Sequence, residues 1–367
     1  MFIDHKNFKL GQICHKNLQG QTNRCEHLLL SFSSIIQVSD ISFATQGLCH
    51  LKYGLSYRQI RFCQRNEAIM PFIRFGANLA LEECKNQFKN RHWNCTLFHD
   101  QKLIGNILDS GTKESAYIHA LTSAGIAYTI TKACSTGRLS SCGCDMSMKE
   151  KTTNGSVRWA GCSDNVLFGS ELGRKFVNLR ERVTKNRTSL LNVHNNQVGI
   201  RMILESVDRQ CKCHGVSGSC EFKTCWRSLR SFTQIAKQLK EAYDQSIEVR
   251  LQRNLFDKKL RFVPRNLPYH ISKQPVSIMT TYKNDLIFYS SSPNYCERNL
   301  ELGSLGTIGR VCNRSSRAID GCDLLCCNRG YQSQIVTVRD QCNCRFQWCC
   351  YVQCQSCVTT EEISRCL

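Results

Sequence analysis

Cys211-Lys-Cys213-His-Gly-Val-Ser217-Gly-Ser-Cys220-Glu-Phe-Lys-Thr-Cys225 is the most informative stretch of this chain. A C-x-C pair closing on a C-x₄-C pair permits nested bridges, Cys211 to Cys225 and Cys213 to Cys220. Such bridges staple a narrow hairpin whose tip is His214, Gly215, Val216, Ser217, Gly218 and Ser219. Ser217 then sits at the apex beside a glycine that leaves its hydroxyl unobstructed. Three roles compete for it. A hydrolase nucleophile calls for G-x-S-x-G on a strand-to-helix turn, but Ser219 occupies the last position, and a stapled hairpin brings no helix start to hold an oxyanion. A plain polar turn is the bland alternative. A modification site, read by an enzyme that needs one open hydroxyl, is the third.

Outward from the hairpin, the 367 residues carry 26 cysteines, an even number far above what a cytosolic enzyme uses. An oxidising compartment turns such a count into disulfides, and a reducing one demands metal sites. Pairs such as Cys342/Cys344 and Cys349/Cys350 crowd too closely for zinc knuckles, which need C-x₂₋₄-C pairs set a dozen or more residues apart. Four N-x-S/T triplets, at Asn94, Asn154, Asn186 and Asn313, are candidate glycosylation sites and favour the secretory route. Disulfides are therefore preferred, with no metal site and no catalytic residue expected.

The composition, 41% hydrophobic and 21% charged, excludes a disordered or collagen-like polymer. A formal charge of +20 suits anionic partners: nucleic acid, acidic lipid surfaces or sulfated polysaccharide. That charge is uneven, because the stretch from Leu286 onward is nearly neutral. The start Met1–Gln12 is polar and has no apolar signal core. A later run, Leu28 to Val38, is followed by small residues at Ser42 and Ala44; it reads either as a signal peptide behind a misplaced start or as a buried segment. No other run reaches the length of a membrane span.

Apolar residues at Ile69, Ile73, Ala77, Ala80, Cys84 and Phe88 form one helical stripe between Gln64 and Trp93. Ser115 to Cys134 is apolar or small nearly all round, which predicts a helix in the middle of a bundle. Gln197 to Arg209 and Leu229 to Tyr243 read as further amphipathic helices. Pro264, Pro268 and Pro275 mark 254–285 as a linker. Beyond it, cysteines and glycines dominate, as in a small unit where cross-links replace a large apolar core. The expected fold is a mainly α N-terminal helical bundle with disulfide-stapled β-hairpins, plus a small cystine-rich β-hairpin C-terminal domain. The divisions are 1–45, 46–253 with the hairpin 211–225, the linker 254–285, and 286–367.

On these residues the chain resembles the Wnt family of secreted signalling proteins. CKCHGVSGSC is that family's signature, and the match runs from about Cys49 to Cys366. It includes Glu83-Cys84, His92-Trp93-Asn94-Cys95, Gly111 to Ala116, Cys142-Gly-Cys144, Gly161 to Asn165 and His194-Asn-Asn196. In the last stretch it covers Ser292 to Cys296, Asp320 to Cys327 and Trp348-Cys-Cys350. Phrases such as CGCD, FVNLRER, VPRN and RAIDGC are most similar to the subfamily numbered four. Residues 1–45, with Cys14 and Cys25, match nothing in the family. Ala160, Ile200, Arg230, Asn328 and the terminal Leu367 depart from its usual pattern, and none of them is Ser217 or a hairpin cysteine.

The resemblance implies an extracellular ligand rather than an enzyme, secreted into the extracellular space and matrix, with a monounsaturated fatty acyl group on Ser217 as its covalent cofactor. A Porcupine-type O-acyltransferase would attach the group and a Wntless carrier would escort it. The Frizzled cysteine-rich domain would be held by the acyl hairpin and by a second hairpin tip at Trp348, Cys349, Cys350 and Val352, for which the bland reading is a buried Trp348. A low-density-lipoprotein-receptor-related co-receptor and heparan sulfate would be further partners, and nucleic acid none. The implied bridges are Cys49–Cys63, Cys84–Cys95, Cys134–Cys142, Cys144–Cys162, Cys296–Cys327, Cys312–Cys322, Cys326–Cys366, Cys342–Cys357, Cys344–Cys354 and the vicinal Cys349–Cys350. The competing reading is an intracellular zinc-rich nucleic-acid-binding protein, motivated by the polar start and the basic charge.

Overall fold

The computed structural model describes residues 49–50, 54–95, 108–149, 152–153, 157–182, 186–253, 260–266, 282–348 and 351–367. The apolar run at 28–38, Cys14, Cys25, Asn154, Cys349, Cys350, Pro268 and Pro275 lie outside them. The chain divides into two compact units between Thr307 and Ile308.

In the first unit, helices α1 (Tyr57–Arg65), α2 (Met70–Phe88), α3 (Lys113–Ser135), α4 (Val166–Glu181), α5 (Arg187–Glu205) and α6 (Phe232–Asp244) form the bundle. Five of them begin at a side-chain cap. Ser56, Thr112, Asn165, Asn186 and Ser231 each accept a hydrogen bond from the backbone N–H three residues on, which satisfies a donor the helix cannot.

α3 is the central helix, and its small residues explain why. α2 crosses it where Gly76 faces Gly125: a Cβ added at Gly125 would sit 2.4 Å from the Gly76 carbonyl oxygen. α5 crosses at Gly199, where a Cβ would lie 1.9 Å from the Ala120 carbonyl, and α4 approaches through Gly169. These close approaches bury Ala116, Ala120, Ala124, Ala127 and Ile130 completely. At one end of the bundle, Phe88 meets the rings of Trp93, Tyr117 and Tyr243, each at 4.9 Å between centroids. Beside them, the buried Glu114 carboxylate accepts hydrogen bonds from the Tyr243 hydroxyl (2.9 Å) and Ser292 Oγ (2.8 Å).

One expectation is corrected here, and one helix is added. The helix expected over Gln197–Arg209 begins ten residues earlier, at Arg187, and stops at Glu205, because Val207–Arg209 enter a strand. α4, which carries two glycines and so scores poorly as a helix, was not foreseen at all; those glycines serve its approach to α3.

Strands β1 (Thr152–Thr153), β2 (Val157–Trp159), β3 (Val207–Cys213) and β4 (Lys223–Leu229) make one sheet in the order β1-β2-β4-β3. Strands β5 (Ile247–Arg253), β6 (Leu260–Pro264) and β7 (Ile287–Phe288) make a second, ordered β6-β5-β7. The span expected to be a linker thus contains a strand, since β6 pairs antiparallel with β5 from Val249↔Pro264 to Arg253↔Leu260. Asp285 and Ile287 stay with the bundle. The Asn195 amide exchanges two 3.0 Å hydrogen bonds with the backbone of Ile287, and the Asp285 carbonyl lies 2.9 Å from His194 Nε2. This docking moves the division of units later than the expected 285/286. A short pair, β8 (Arg298–Asn299) and β9 (Ser304–Leu305), follows within the first unit.

The second unit has β10 (Val311–Cys312), the one-turn helix α7 (Cys322–Leu325), and the long ribbon of β11 (Tyr331–Gln347) and β12 (Tyr351–Cys366), ordered β10-β12-β11. Its core is largely cystine: Cys312, Cys322, Cys326 and Cys366 surround Leu325, with Tyr331 packed alongside. Asn328 has φ of 60°, a left-handed conformation that Asn tolerates better than most residues, which accounts for its place where the family usually has Gly.

Candidate functional site

The hairpin of β3 and β4 grows straight out of the bundle. α5 ends at Glu205, buried Ser206 turns the chain, and β3 starts at Val207. After β4 the chain re-enters helix at the Ser231 cap. The pairing is antiparallel from Val207↔Leu229 to Cys213↔Lys223, and β2 runs parallel against β4 at Lys223, Thr224 and Cys225. Asp164, itself buried, anchors the base: its carboxylate accepts from the Leu229 N–H at 2.7 Å and pairs with Lys132 at 2.6 Å. Arg230 clamps Asp208 with two 3.0 Å bonds, and this pairing holds the Asp208 carboxyl below its ordinary range.

Two bridges close the hairpin. Cys211 and Cys225 are directly opposed in register and bonded, with Cα atoms 4.1 Å apart. Cys213 is bonded to Cys220 across 4.6 Å. Cys225 is fully buried against the unit, whereas Cys211 and Cys220 are exposed. Beyond them the tip is a tight turn. The Gly215 N–H donates to the Ser219 carbonyl (2.8 Å), Gly218 N–H to the Gly215 carbonyl and Ser219 N–H to the Val216 carbonyl. Gly215 is required for the close approach, since a Cβ there would meet Ser219 Oγ at 1.9 Å.

Ser217 occupies the summit with φ of 56° and ψ of 25°, a left-handed conformation that turns the backbone away and leaves the side chain in solvent. Its hydroxyl has no hydrogen-bond partner among the described residues, so none of these is placed as a base to activate it as a nucleophile. Two apolar side chains stand beside it: Val216 is 86% exposed, and Phe222 lies with its ring 5.7 Å from that of His214. The arrangement holds the Ser217 hydroxyl at the apex, open to solvent.

The ribbon carries the second candidate. Its strands pair from Tyr331↔Cys366 to Gln347↔Tyr351, with a register shift between Cys342 and Arg345 where Asn343 adopts φ of 48°. Cys342–Cys357 and Cys344–Cys354 straddle that irregularity. Trp348 is 92% exposed, which removes the buried-core reading, and Val352 is exposed as well. Phe346 and Tyr351, not singled out from the sequence, are exposed beside them, with Phe346 opposite Val352 in register. The alternation Phe346-Gln347-Trp348 carried that signal for Phe346.

The remaining bridges are Cys49–Cys63, Cys84–Cys95, Cys134–Cys142, Cys144–Cys162, Cys312–Cys322 and Cys326–Cys366. Cys296 and Cys327 are also disulfide-bonded, as is every cysteine among the described residues. Zinc binds thiolates, so the zinc-rich reading loses its ligands. Among the sequons, Asn186 and Asn313 are exposed and Asn94 is half-buried. Asn186 Oδ1 is engaged by Ser189 and Asn313 Oδ1 by Ser315.

Known proteins share this frame. The family model described as "wnt family" matches residues 51–367. Protein Wnt-3a of Xenopus laevis is 42% identical over 328 residues, covering 89% of this chain and 90% of the relative. Protein Wnt-3a of Homo sapiens is 41% identical over 324 residues, covering 87% and 88%. The solved structure "Human WLS in complex with WNT8A" matches with a TM-score of 0.59 at 36% identity, covering 81% of this chain and 93% of that chain.

Proposed function

The chain belongs to the Wnt family of extracellular signalling ligands, and from that premise we propose that it acts by binding, through a fatty acyl group esterified to Ser217, and not by catalysis. The observation that carries this reading is the stapled turn whose only exposed, unpartnered side-chain hydroxyl on a left-handed residue is that of Ser217. Each buried methylene contributes about 0.8 kcal/mol, so a chain of about sixteen carbons supplies on the order of 10 kcal/mol to a complex. No polar turn of this size matches it.

A Porcupine-type O-acyltransferase supplies the monounsaturated chain. The same chain makes the free protein sparingly soluble and calls for a carrier; WNT8A, a relative in fold and sequence, was solved in complex with human WLS, which supports a Wntless protein in that role here. The receptor is a Frizzled cysteine-rich domain, contacted by the acylated hairpin and by the tip at Trp348, Cys349, Cys350 and Val352. The exposed Trp348 on a cross-linked ribbon is a preorganised apolar contact that loses little freedom on binding. A low-density-lipoprotein-receptor-related co-receptor completes the signalling complex. Secretion to the extracellular matrix, with heparan sulfate holding the basic first unit, fits the +20 charge. Assignment to the subfamily numbered four rests on the phrases CGCD, FVNLRER, VPRN and RAIDGC alone, beside relatives that are Wnt-3a proteins.

Mass spectrometry of the secreted protein tests the reading. A fatty acyl adduct is expected on the peptide holding Ser217, and Ser217→Ala is expected to lose both the adduct and receptor binding. A fully active protein with an unmodified Ser217 would overturn it.

A further inference from the structure

Inside the helical bundle lies a cavity of about 350 Å³ that plays no part in either hairpin. Packed cores hold few voids larger than a water molecule, whereas sites for small ligands span about 300–1,000 Å³. Its walls are Ile73, Ala77 and Leu81 of α2, Ile118 and Ile126 of α3, and Phe176 of α4. Ile73, Ala77 and Leu81 are spaced four apart and so line one face of α2, which looks into the space.

The polar groups around it are mostly spent on the protein. Gln59 donates to the Phe176 carbonyl, His119 Nε2 lies 3.1 Å from the Leu108 carbonyl, and Asn196 donates to Asn178. Burial pushes His119 down to about 4, so it is uncharged at neutral pH. Arg180 is engaged by Asp109 at 3.9 Å. Arg74 differs from these. It lines the cavity, is exposed, and has no ion-pair or hydrogen-bond partner among the described residues. Glu181 also lines the cavity, but its carboxyl accepts a hydrogen bond from Asn192 at 3.1 Å and burial raises its pKa. The exposed Arg74 guanidinium in a mostly apolar chamber is thus the complement of an amphipathic anion with a single hydrocarbon tail.

We propose that this cavity binds a free long-chain fatty acid, its hydrocarbon against α2, α3 and α4 and its carboxylate on Arg74. The charge decides between two sources of such a chain. An acyl group esterified to serine carries no carboxylate and leaves Arg74 unpaired, so the free acid is the occupant.

The test uses the full-length secreted protein carrying Ser217→Ala, with cis-parinaric acid as a fluorescent probe. One saturable site per chain is expected, with the probe displaced by oleate. Arg74→Gln weakens oleate by about tenfold, the loss of one charge-assisted contact, and leaves uncharged oleyl alcohol within about twofold. Ala77→Phe fills the chamber and abolishes binding. Absence of saturable binding, an undiminished signal in Ala77→Phe, or an oleate affinity indifferent to Arg74→Gln would each overturn the proposal. So would binding by Ser217→Ala alone with none by the acylated protein, which would make the chain's own acyl group the occupant. Should Ala77→Phe fail to fold, a diazirine-bearing fatty acid photolysed on the unsubstituted protein gives an independent answer. Label in residues 70–81 or 118–126 is expected, and label confined to other peptides refutes the site.

Discussion

Around Phe88 the packing is carbon against carbon: three aromatic rings close on it, and Leu121, Ile203, Ile235 and Leu239 fill the space beyond. Around Cys326 the packing is sulfur. The Cys312–Cys322 and Cys326–Cys366 bridges lie side by side, with Sγ atoms of Cys312 and Cys326 3.6 Å apart, and the strands that leave this cluster are exposed for most of their length. The helical unit hides enough apolar surface to define its own shape. The ribbon hides little, and covalent cross-links limit its alternatives instead. Both present an exposed tip, so the difference teaches that a rigid tip needs a constrained base, whichever force supplies the constraint.

The largest expected effect separates the two regions directly. Phe88→Ala removes a fully buried ring and should cost about 3–5 kcal/mol in denaturant unfolding, while Ile335→Ala, on the exposed ribbon, should stay within about 0.5 kcal/mol. Equal losses would erase the contrast. Next, replacing Cys342 and Cys357 together by Ser opens a loop whose ends are 15 residues apart, worth about 3 kcal/mol of constraint. Hydrogen exchange should show lost protection along β11 and β12 and none lost in α2 or α3.

A third effect, of up to about 3 kcal/mol, comes from pH. His119 has its folded value lowered to about 4 by burial, against 6.5 unfolded, so between these values the unfolded chain binds more protons. The His119 contribution is therefore complete above about pH 6.5 and is lost as the pH falls towards 4. The stability difference between the unsubstituted protein and His119→Gln should shrink over that window. Residues 308–367 contain no histidine, so ribbon protection measured in parallel should show no such component. The smallest effect tests the hairpin tip. Gly218 has φ of 80° with open space around its Cα, so Gly218→Ala meets only backbone strain and should cost about 1 kcal/mol, read as faster exchange in residues 213–220.

Much of this was legible in the residues. The spacing of Cys211, Cys213, Cys220 and Cys225 admits a nested staple with Ser217 at its summit, and the small-residue run from Ser115 to Cys134 marks a helix surrounded by others. Local rules were silent where distant groups decide. α4 carries Gly169 and Gly173 because α3 lies against them, which no propensity scale registers. Val207–Arg209 continue a helical pattern but become strand because β4 offers them a ladder. The span 254–285 looks broken by proline, yet Leu260–Pro264 pairs with β5. Arg230, read only as a departure from the family pattern, clamps Asp208 across the hairpin base.

By itself, then, the sequence determined the chemistry available: a cysteine spacing that admits the hairpin staple, a serine set beside a glycine for access, and apolar stripes that recur. These follow from spacing along the chain, a property that folding does not alter. Tertiary structure alone decided how a serine flanked by glycines becomes an exposed left-handed apex, why a tryptophan at the end of the ribbon faces water, and that three helix faces meet around a chamber with Arg74 at its opening. Such features depend on groups far apart in the chain meeting at fixed distances, and no local pattern encodes a distance.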